Sequence, residues 1–334
     1  MTKIGVLGAG TWGMALSRML CRSGHEVTVW SALKEEVITY AATRRHPNLP
    51  GMVIPDEIIF TEEIKEAVSG KDILLFAVPS IFVRSTAKAA APFTPSGQII
   101  VDVAKGIESD TLMTLTEVIQ SEMAKVGRSD VKMVALSGPT HAEEVAIDLP
   151  STIVSASADP NVACYVQDVF MNTCMRVYTN TDVKGVELCG AMKNIIALAS
   201  GMCLGLGYGD NTKAALMTRG MAEITRLGLA MGCKASTFAG LAGIGDLIVT
   251  ATSVHSRNNR AGYLIGQGKT PEEAKAEVGM VVEGINALPA AMALSKHFQV
   301  ELPICTGVND IIFHGATAKD VVRSLMERPK TAEA

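Results

Sequence analysis

The sequence predicts an α/β N-terminal domain built on a parallel sheet, followed by an all-helical C-terminal domain. Three observations predict this. Short β-rich runs alternate with helical segments through the first half of the chain. A glycine-rich turn directly follows the first run and opens an apolar helix. From Val186 onward the chain is rich in Ala, Met, Leu and Gly at helical spacing, and strand signals almost vanish.

The β-rich runs are Ile4 to Leu7, Val27 to Trp30, Ile73 to Val78, Ile99 to Val103 and Val131 to Leu136. Between them, Ala15 to Arg22, Ile81 to Ala90 and Thr111 to Lys125 read as helices. That alternation predicts helices on both faces of the sheet, with ligands beyond the carboxyl ends of the strands. Asp182 to Gly185 reads as the connection, giving domains at 1–185 and 186–334, with an active site expected in the cleft between them.

The glycine-rich turn is Gly8-Ala9-Gly10-Thr11-Trp12-Gly13. In this strand-to-helix setting it is the fingerprint of a Rossmann-type dinucleotide-binding domain. Gly8 permits the tight turn. Gly10 lets a pyrophosphate approach the backbone. Gly13 lets helix pack on strand. The free N–H groups of the helix then face the phosphates. The second strand of such a domain ends in Asp or Glu when the cofactor is NAD, because a carboxylate binds the ribose hydroxyls. Here the segment reads Val29-Trp30-Ser31-Ala32-Leu33-Lys34, with no acid before Glu35 and no arginine. Ser31 and Lys34 suit a 2′-phosphate or an ordinary solvated loop equally well. The choice of NAD or NADP stays open.

Composition narrows the classes. The chain has 334 residues, of which 48% are hydrophobic and 19% charged, with net charge -4. Length favours two domains. No basic tract exists, so nucleic acid is not an expected partner, and an anionic substrate needs specific local cations. The seven cysteines form no CxxC pair and read as reduced core thiols of a reducing compartment. The six histidines form no HxxxH or HExxH pattern, so no metal site is expected. No signal peptide is visible, and the longest uncharged stretch, Asn194 to Gly209, is too short for a membrane span. Cytoplasm is the expected location, without membrane insertion. The sequence allows a homodimer without specifying one.

Several cations and polar groups stand out. Lys193 has Cys189, Gly190, Ile196 and Ala197 as its helical neighbours. It is either a lysine whose stem packs on the core while its head reaches water, or a buried general acid. Lys105 follows the run ending at Val103, and Ser137-Gly138-Pro139-Thr140 occupies the same edge of the sheet. The latter suits a small polar ligand or an ordinary proline-led turn. Ser256-Arg257-Asn258-Asn259-Arg260 is a compact cationic and amide cluster, either a phosphate site or a polar loop. Asp246, among small residues, can orient Lys193, accept a substrate hydroxyl or cap a helix.

Taken together these residues resemble the bacterial-type NAD(P)-dependent glycerol-3-phosphate dehydrogenases. Ten blocks match in order: GAGTWGMAL (8–16), NLPGMVIP (48–55), FAVPS (76–80), AKGIE (104–108), SGPTHAEEV (137–145), ELCGAMKNIIALASG (187–201), NTKAALMTRG (211–220), GIGDLIVT (243–250), SRNNRAG (256–262) and VVEG (281–284). The resemblance implies reversible reduction of dihydroxyacetone phosphate to sn-glycerol 3-phosphate by NADH or NADPH, feeding phospholipid synthesis. It implies Lys193 as the catalytic acid/base. Lys105, Gly138, Thr140, Lys193, Asp246, Ser256, Arg257 and Asn258 match substrate positions. Gly8, Gly10, Thr11, Trp12, Gly13, Lys105, Ala142, Arg257, Val281 and Glu283 match cofactor positions. The family often has arginine where this chain has Ala32, and an aromatic residue where it has His141. Two other readings remain: a 3-hydroxyacid or ketopantoate-type dehydrogenase, which needs a carboxylate site, and a non-catalytic dinucleotide sensor, which needs no buried lysine.

Overall fold

The computed structural model describes residues 1–253, 255–330, 332 and 333. The chain divides into two compact units, Met1–Glu187 and Leu188–Ala334.

The first unit is an eight-stranded sheet. Its strands are β1 (Lys3–Leu7), β2 (Glu26–Trp30), β3 (Ile59–Thr61), β4 (Ile73–Phe76), β5 (Ile99–Asp102), β6 (Lys132–Ser137), β7 (Ser151–Ala156) and β8 (Met175–Asn180). They lie in the order β3-β2-β1-β4-β5-β6-β7-β8, and only β6 with β7 is antiparallel. The helices are α1 (Thr11–Arg22), α2 (Lys34–Thr43), α3 (Ile64–Val68), α4 (Val83–Ala90), α5 (Leu115–Lys125), α6 (Ala142–Val145) and α7 (Pro160–Phe170). Alternate residues of the central strands feed two cores. Ile4, Val6, Val29, Leu75 and Val101 pack on one face. Leu7, Leu74, Phe76 and Ile100 pack on the other. Burial on both faces explains why these strands read as apolar runs. The chain reverses direction across the sheet between β1 and β4, and this switch point is where doubly wound sheets bind ligands.

Some elements differ from the sequence reading. The helix expected from Thr111 starts at Leu115, because Thr114 and Glu117 form a reciprocal capping box. Residues ahead of it turn back through an Ile107–Thr114 bridge. The strand expected to reach Val78 ends at Phe76. β3, β7 and β8 were not foreseen.

The second unit is helical, with no strand among its described residues. α8 (Val183–Gly205) starts in the first unit and carries on as the core of the second. Asp182 accepts from the Gly185 N–H at 3.1 Å at its start. α9 (Asp210–Ala230), α10 (Ala235–Phe238), α11 (Asp246–Thr252), α12 (Arg257–Gly266), α13 (Pro271–Val278), α14 (Glu283–Phe298), α15 (Pro303–Phe313) and α16 (Ala318–Met326) follow. α8 and α12 meet through glycines. A Cβ at Gly201 would lie 2.0 Å from the Asn259 carbonyl oxygen, and one at Gly262 would lie 2.0 Å from that of Leu198. Only glycine allows that approach, and it sets the start of α12 against the helix that carries Lys193. α8 is long and apolar enough to cross a membrane, yet 89% of its most apolar window is buried inside the protein. Ala235–Thr252 meets the same length and composition test with 44% buried.

Candidate active site

The glycine turn forms an open cradle. Gly8 has φ of +122°, and a Cβ there would lie 2.7 Å from the Ala77 carbonyl oxygen. A Cβ at Gly13 would lie 2.3 Å from the Gly8 carbonyl oxygen, so helix and turn are in contact. At Gly10 a Cβ would meet nothing within 4 Å. The backbone there faces open space, as a pyrophosphate requires. α1 has no side-chain cap and no acid in its first turn, which leaves its N–H groups for an anion. Trp12 is half-buried against the first core, and Thr11 is half-exposed beside it. The residues present fit a dinucleotide.

At the end of β2, Ser31 is buried and engaged. Its hydroxyl accepts from the Leu33 N–H at 3.1 Å and donates to Glu36 at 2.6 Å. Lys34 pairs with Glu62 at 3.3 Å. Neither is held ready for a 2′-phosphate.

Lys105, Gly138 and Thr140 come together at the carboxyl edge of the same sheet. The Gly138 carbonyl accepts from Lys105 Nζ at 3.4 Å and from Thr140 Oγ1 at 3.2 Å. Gly138 packs closely on β7, since a Cβ would lie 3.0 Å from Ile153 Cα. Ala142 opens α6 and is buried in the first core, after His141 at the N-cap. Asp102 steadies the turn ahead of Lys105 by accepting from the Ala104 N–H at 3.2 Å. Burial and nearby Glu187 hold its carboxyl well above the usual range. Glu187 accepts from the Thr116 N–H at 2.8 Å and the Thr116 hydroxyl at 2.5 Å. Burial still pushes its carboxyl up to about 7. Among the described residues, Asp102 Oδ2 and Ser137 Oγ are buried polar atoms without a hydrogen-bond partner, and both lie at the carboxyl edge.

In the second unit Lys193 is 4% exposed, which excludes a head group that reaches water. Its ammonium donates to the Asp246 carboxylate, itself 0% exposed, and to Thr250 Oγ1 at 2.6 Å. Asp246 is the first residue of α11, directly after a π-helical turn at Leu241–Gly245, and Gly245 stands at the N-cap position. The contact with Lys193 fits the first of its three sequence readings, orientation of that lysine. Thr250 was missed by sequence reasoning. It stands four residues after Asp246, on the same helix face, and that spacing was the available signal.

The cluster at 256–260 separates into distinct parts. Ser256 is buried and caps α12, accepting from the Asn259 N–H at 3.2 Å. Arg257 is exposed in the first turn, with no ion pair among the described residues. Asn258 is buried. Its oxygen accepts from the Gly284 N–H at 2.8 Å, and its nitrogen donates to Asn194 Oδ1 at 2.9 Å. Asn194 in turn donates to the Gly190 carbonyl at 3.1 Å. This amide chain ties the segment of Val281 and Glu283 to the helix of Lys193, and leaves Asn258 one spare N–H. Val281 and Glu283 are half-exposed ahead of it. Among the described residues no group of three His, Cys, Asp or Glu is placed to hold a metal. Four cysteines are buried, Cys21 and Cys174 are half-buried, and Cys164 is exposed, so the thiols are not all core residues.

Comparison with known proteins gives the same outline from an independent direction. Residues 3–163 match the family model described as NAD-dependent glycerol-3-phosphate dehydrogenase N-terminus. Residues 182–323 match the model for the C-terminus of the same family. The glycerol-3-phosphate dehydrogenase [NAD(P)+] 2 of Lactobacillus delbrueckii subsp. bulgaricus is 69% identical over 334 residues, covering 100% of this chain and 99% of that protein. A glycerol-3-phosphate dehydrogenase [NAD(P)+] of Agathobacter rectalis is 52% identical, covering 100% and 98%. The crystal structure of glycerol-3-phosphate dehydrogenase from Coxiella burnetii superposes with a TM-score of 0.93 at 34% identity, covering 98% of this chain and 99% of that one. With the cradle at one end of the chain and the lysine–aspartate pair in its helical half, the chain belongs to the NAD(P)-dependent glycerol-3-phosphate dehydrogenase family.

Proposed function

We propose that this chain interconverts dihydroxyacetone phosphate and sn-glycerol 3-phosphate with NAD(H) or NADP(H), reduction being the direction that supplies glycerophospholipid synthesis. The observation that carries the reading is the buried Lys193 ammonium on Asp246 and Thr250. A buried lysine holds its charge only beside a counter-charge, and Asp246 supplies it. Lys193 gives its proton to the oxygen at C2 as the carbonyl becomes an alcohol. Thr250 fixes the direction of that N–H. A bound nicotinamide supplies the hydride.

Arg257 meets the substrate phosphate. Its exposed guanidinium offers two parallel donors, and the spare N–H of Asn258 adds a third. Ser256 keeps its hydroxyl proton for the same anion. Lys105, Gly138 and Thr140 serve the substrate from the sheet edge, and Lys105 also meets the cofactor. Gly8 to Gly13, with Ala142, Val281 and Glu283, hold the cofactor. Cysteines that form no disulfide among the described residues support a cytoplasmic setting, and the burial of α8 supports a protein that does not insert into membranes. The test is oxidation of NADH and NADPH with dihydroxyacetone phosphate, dihydroxyacetone and ketopantoate as acceptors. Far faster turnover of dihydroxyacetone phosphate than of the other two is expected. Preference for ketopantoate would refute the reading.

A further inference from the structure

β2 carries no acid at its end, yet the fold returns one to that place. The Trp30 carbonyl accepts from the Gly8 N–H at 2.9 Å, which joins the end of β2 to the first glycine of the cradle. Ser31 comes next, and the first turn of α2 brings Glu36 back onto it at 2.6 Å. His46 is buried, its Nδ1 accepts from the Asn48 N–H at 3.1 Å, and its ring lies 5.0 Å from that of Tyr40. The half-buried Glu36 carboxylate therefore sits beside the glycine turn, where the adenosine ribose of a dinucleotide lies in this fold.

We propose that Glu36 reads the cofactor: its carboxylate accepts from the ribose 2′-hydroxyl of NAD(H) and repels the 2′-phosphate of NADP(H). The inference rests on the dinucleotide-binding reading of the cradle. The surrounding charges favour it. Glu35 is exposed next door and adds negative charge. Lys34 pairs with Glu62, Arg44 with Asp56, and Arg45 donates to the Met52 carbonyl. Ala32, exposed between Ser31 and Leu33, brings no cation. Glu36 lies six residues beyond Trp30, so inspection of the strand end alone passes it over.

The test is titration of the protein with NADH and with NADPH, following cofactor fluorescence in the absence of substrate. A carboxylate and a phosphate a few ångströms apart at the protein surface repel enough to change affinity about tenfold. The parent is expected to bind NADH about tenfold more tightly than NADPH. Glu36→Gln keeps the size and the acceptor for Ser31. It should weaken NADH binding, strengthen NADPH binding and so move the ratio about tenfold toward NADPH. A parent that binds both cofactors equally overturns the proposal, as does a ratio that Glu36→Gln moves less than about threefold. Failure to reduce dihydroxyacetone phosphate would sink the dehydrogenase reading while leaving this binding measurement standing.

Discussion

Asp246→Asn removes the counter-charge of Lys193 while keeping size and an acceptor oxygen. The two side chains are 4% and 0% exposed, so water cannot take over the role of the carboxylate. A buried charge deprived of its partner costs roughly 3–5 kcal/mol. The alternative is for Lys193 to surrender its proton. An unfolded lysine titrates near 10.4, so surrender costs about 4–5 kcal/mol at pH 7 and about 2 kcal/mol at pH 9. The cheaper route sets the loss. The variant should therefore be roughly 3–5 kcal/mol less stable than the parent at pH 7, and about 2 kcal/mol less stable at pH 9. The sign follows from proton binding. The unfolded variant holds a proton that the folded variant gives up readily, so its stability rises with pH relative to the parent. Chemical denaturation of both proteins at the two pH values is the assay. A deficit that is absent at pH 7, or that grows toward pH 9, would refute the buried ion pair.

Two further perturbations test other parts of the account. Glu187 has its carboxyl raised to about 7, so its contribution to stability is complete below about pH 4 and fades as pH rises through 7. Glu187→Gln should thus gain on the parent between pH 5 and pH 8, by up to about 3 kcal/mol, in melts across that range. A constant difference would contradict it. Arg257→Lys keeps the charge but loses the two-pronged grip on phosphate. A drop of about 10- to 150-fold in kcat/KM for dihydroxyacetone phosphate is expected, with cofactor KM measured alongside. Dihydroxyacetone should be a poor substrate whose turnover hardly changes; an equal loss on both would refute the phosphate anchor.

Much of the fold was legible because burial leaves a plain trace. β1, β2, β4, β5 and β6 are covered on both faces by helices, and so they appear as unbroken apolar runs. β3 has only three residues, Ile59–Thr61, of which Ile59 is exposed, and no run forms. β7 and β8 mix Ser, Thr, Arg and Asn with apolar residues, since Ser151, Thr152, Arg176 and Tyr178 are only partly buried or exposed. The site divides along similar lines. The glycine turn is local, and its spacing alone announces it. Lys193 stood out as a charge in apolar surroundings, but its partner Thr250 is 57 residues away, and a threonine in an apolar helix is unremarked until the chains meet. Asn194 was passed over for the same reason, although it joins Asn258 to the helix of Lys193. Glu36 is reached only through the turn after β2.

The central claim is that Lys193 protonates the oxygen of dihydroxyacetone phosphate as it is reduced. Lys193→Met preserves the length of the buried stem and removes the proton donor. Asp246 is then left without its cation and takes up a proton more readily, so binding of NADH and NADPH must be shown to be intact by fluorescence titration. Steady-state oxidation of reduced cofactor with dihydroxyacetone phosphate is then the direct measurement. The account predicts a loss in kcat of roughly 10²–10⁴-fold, the usual worth of a positioned acid, with cofactor affinity close to that of the parent. A variant that binds cofactor normally and keeps a kcat within about threefold of the parent would contradict it.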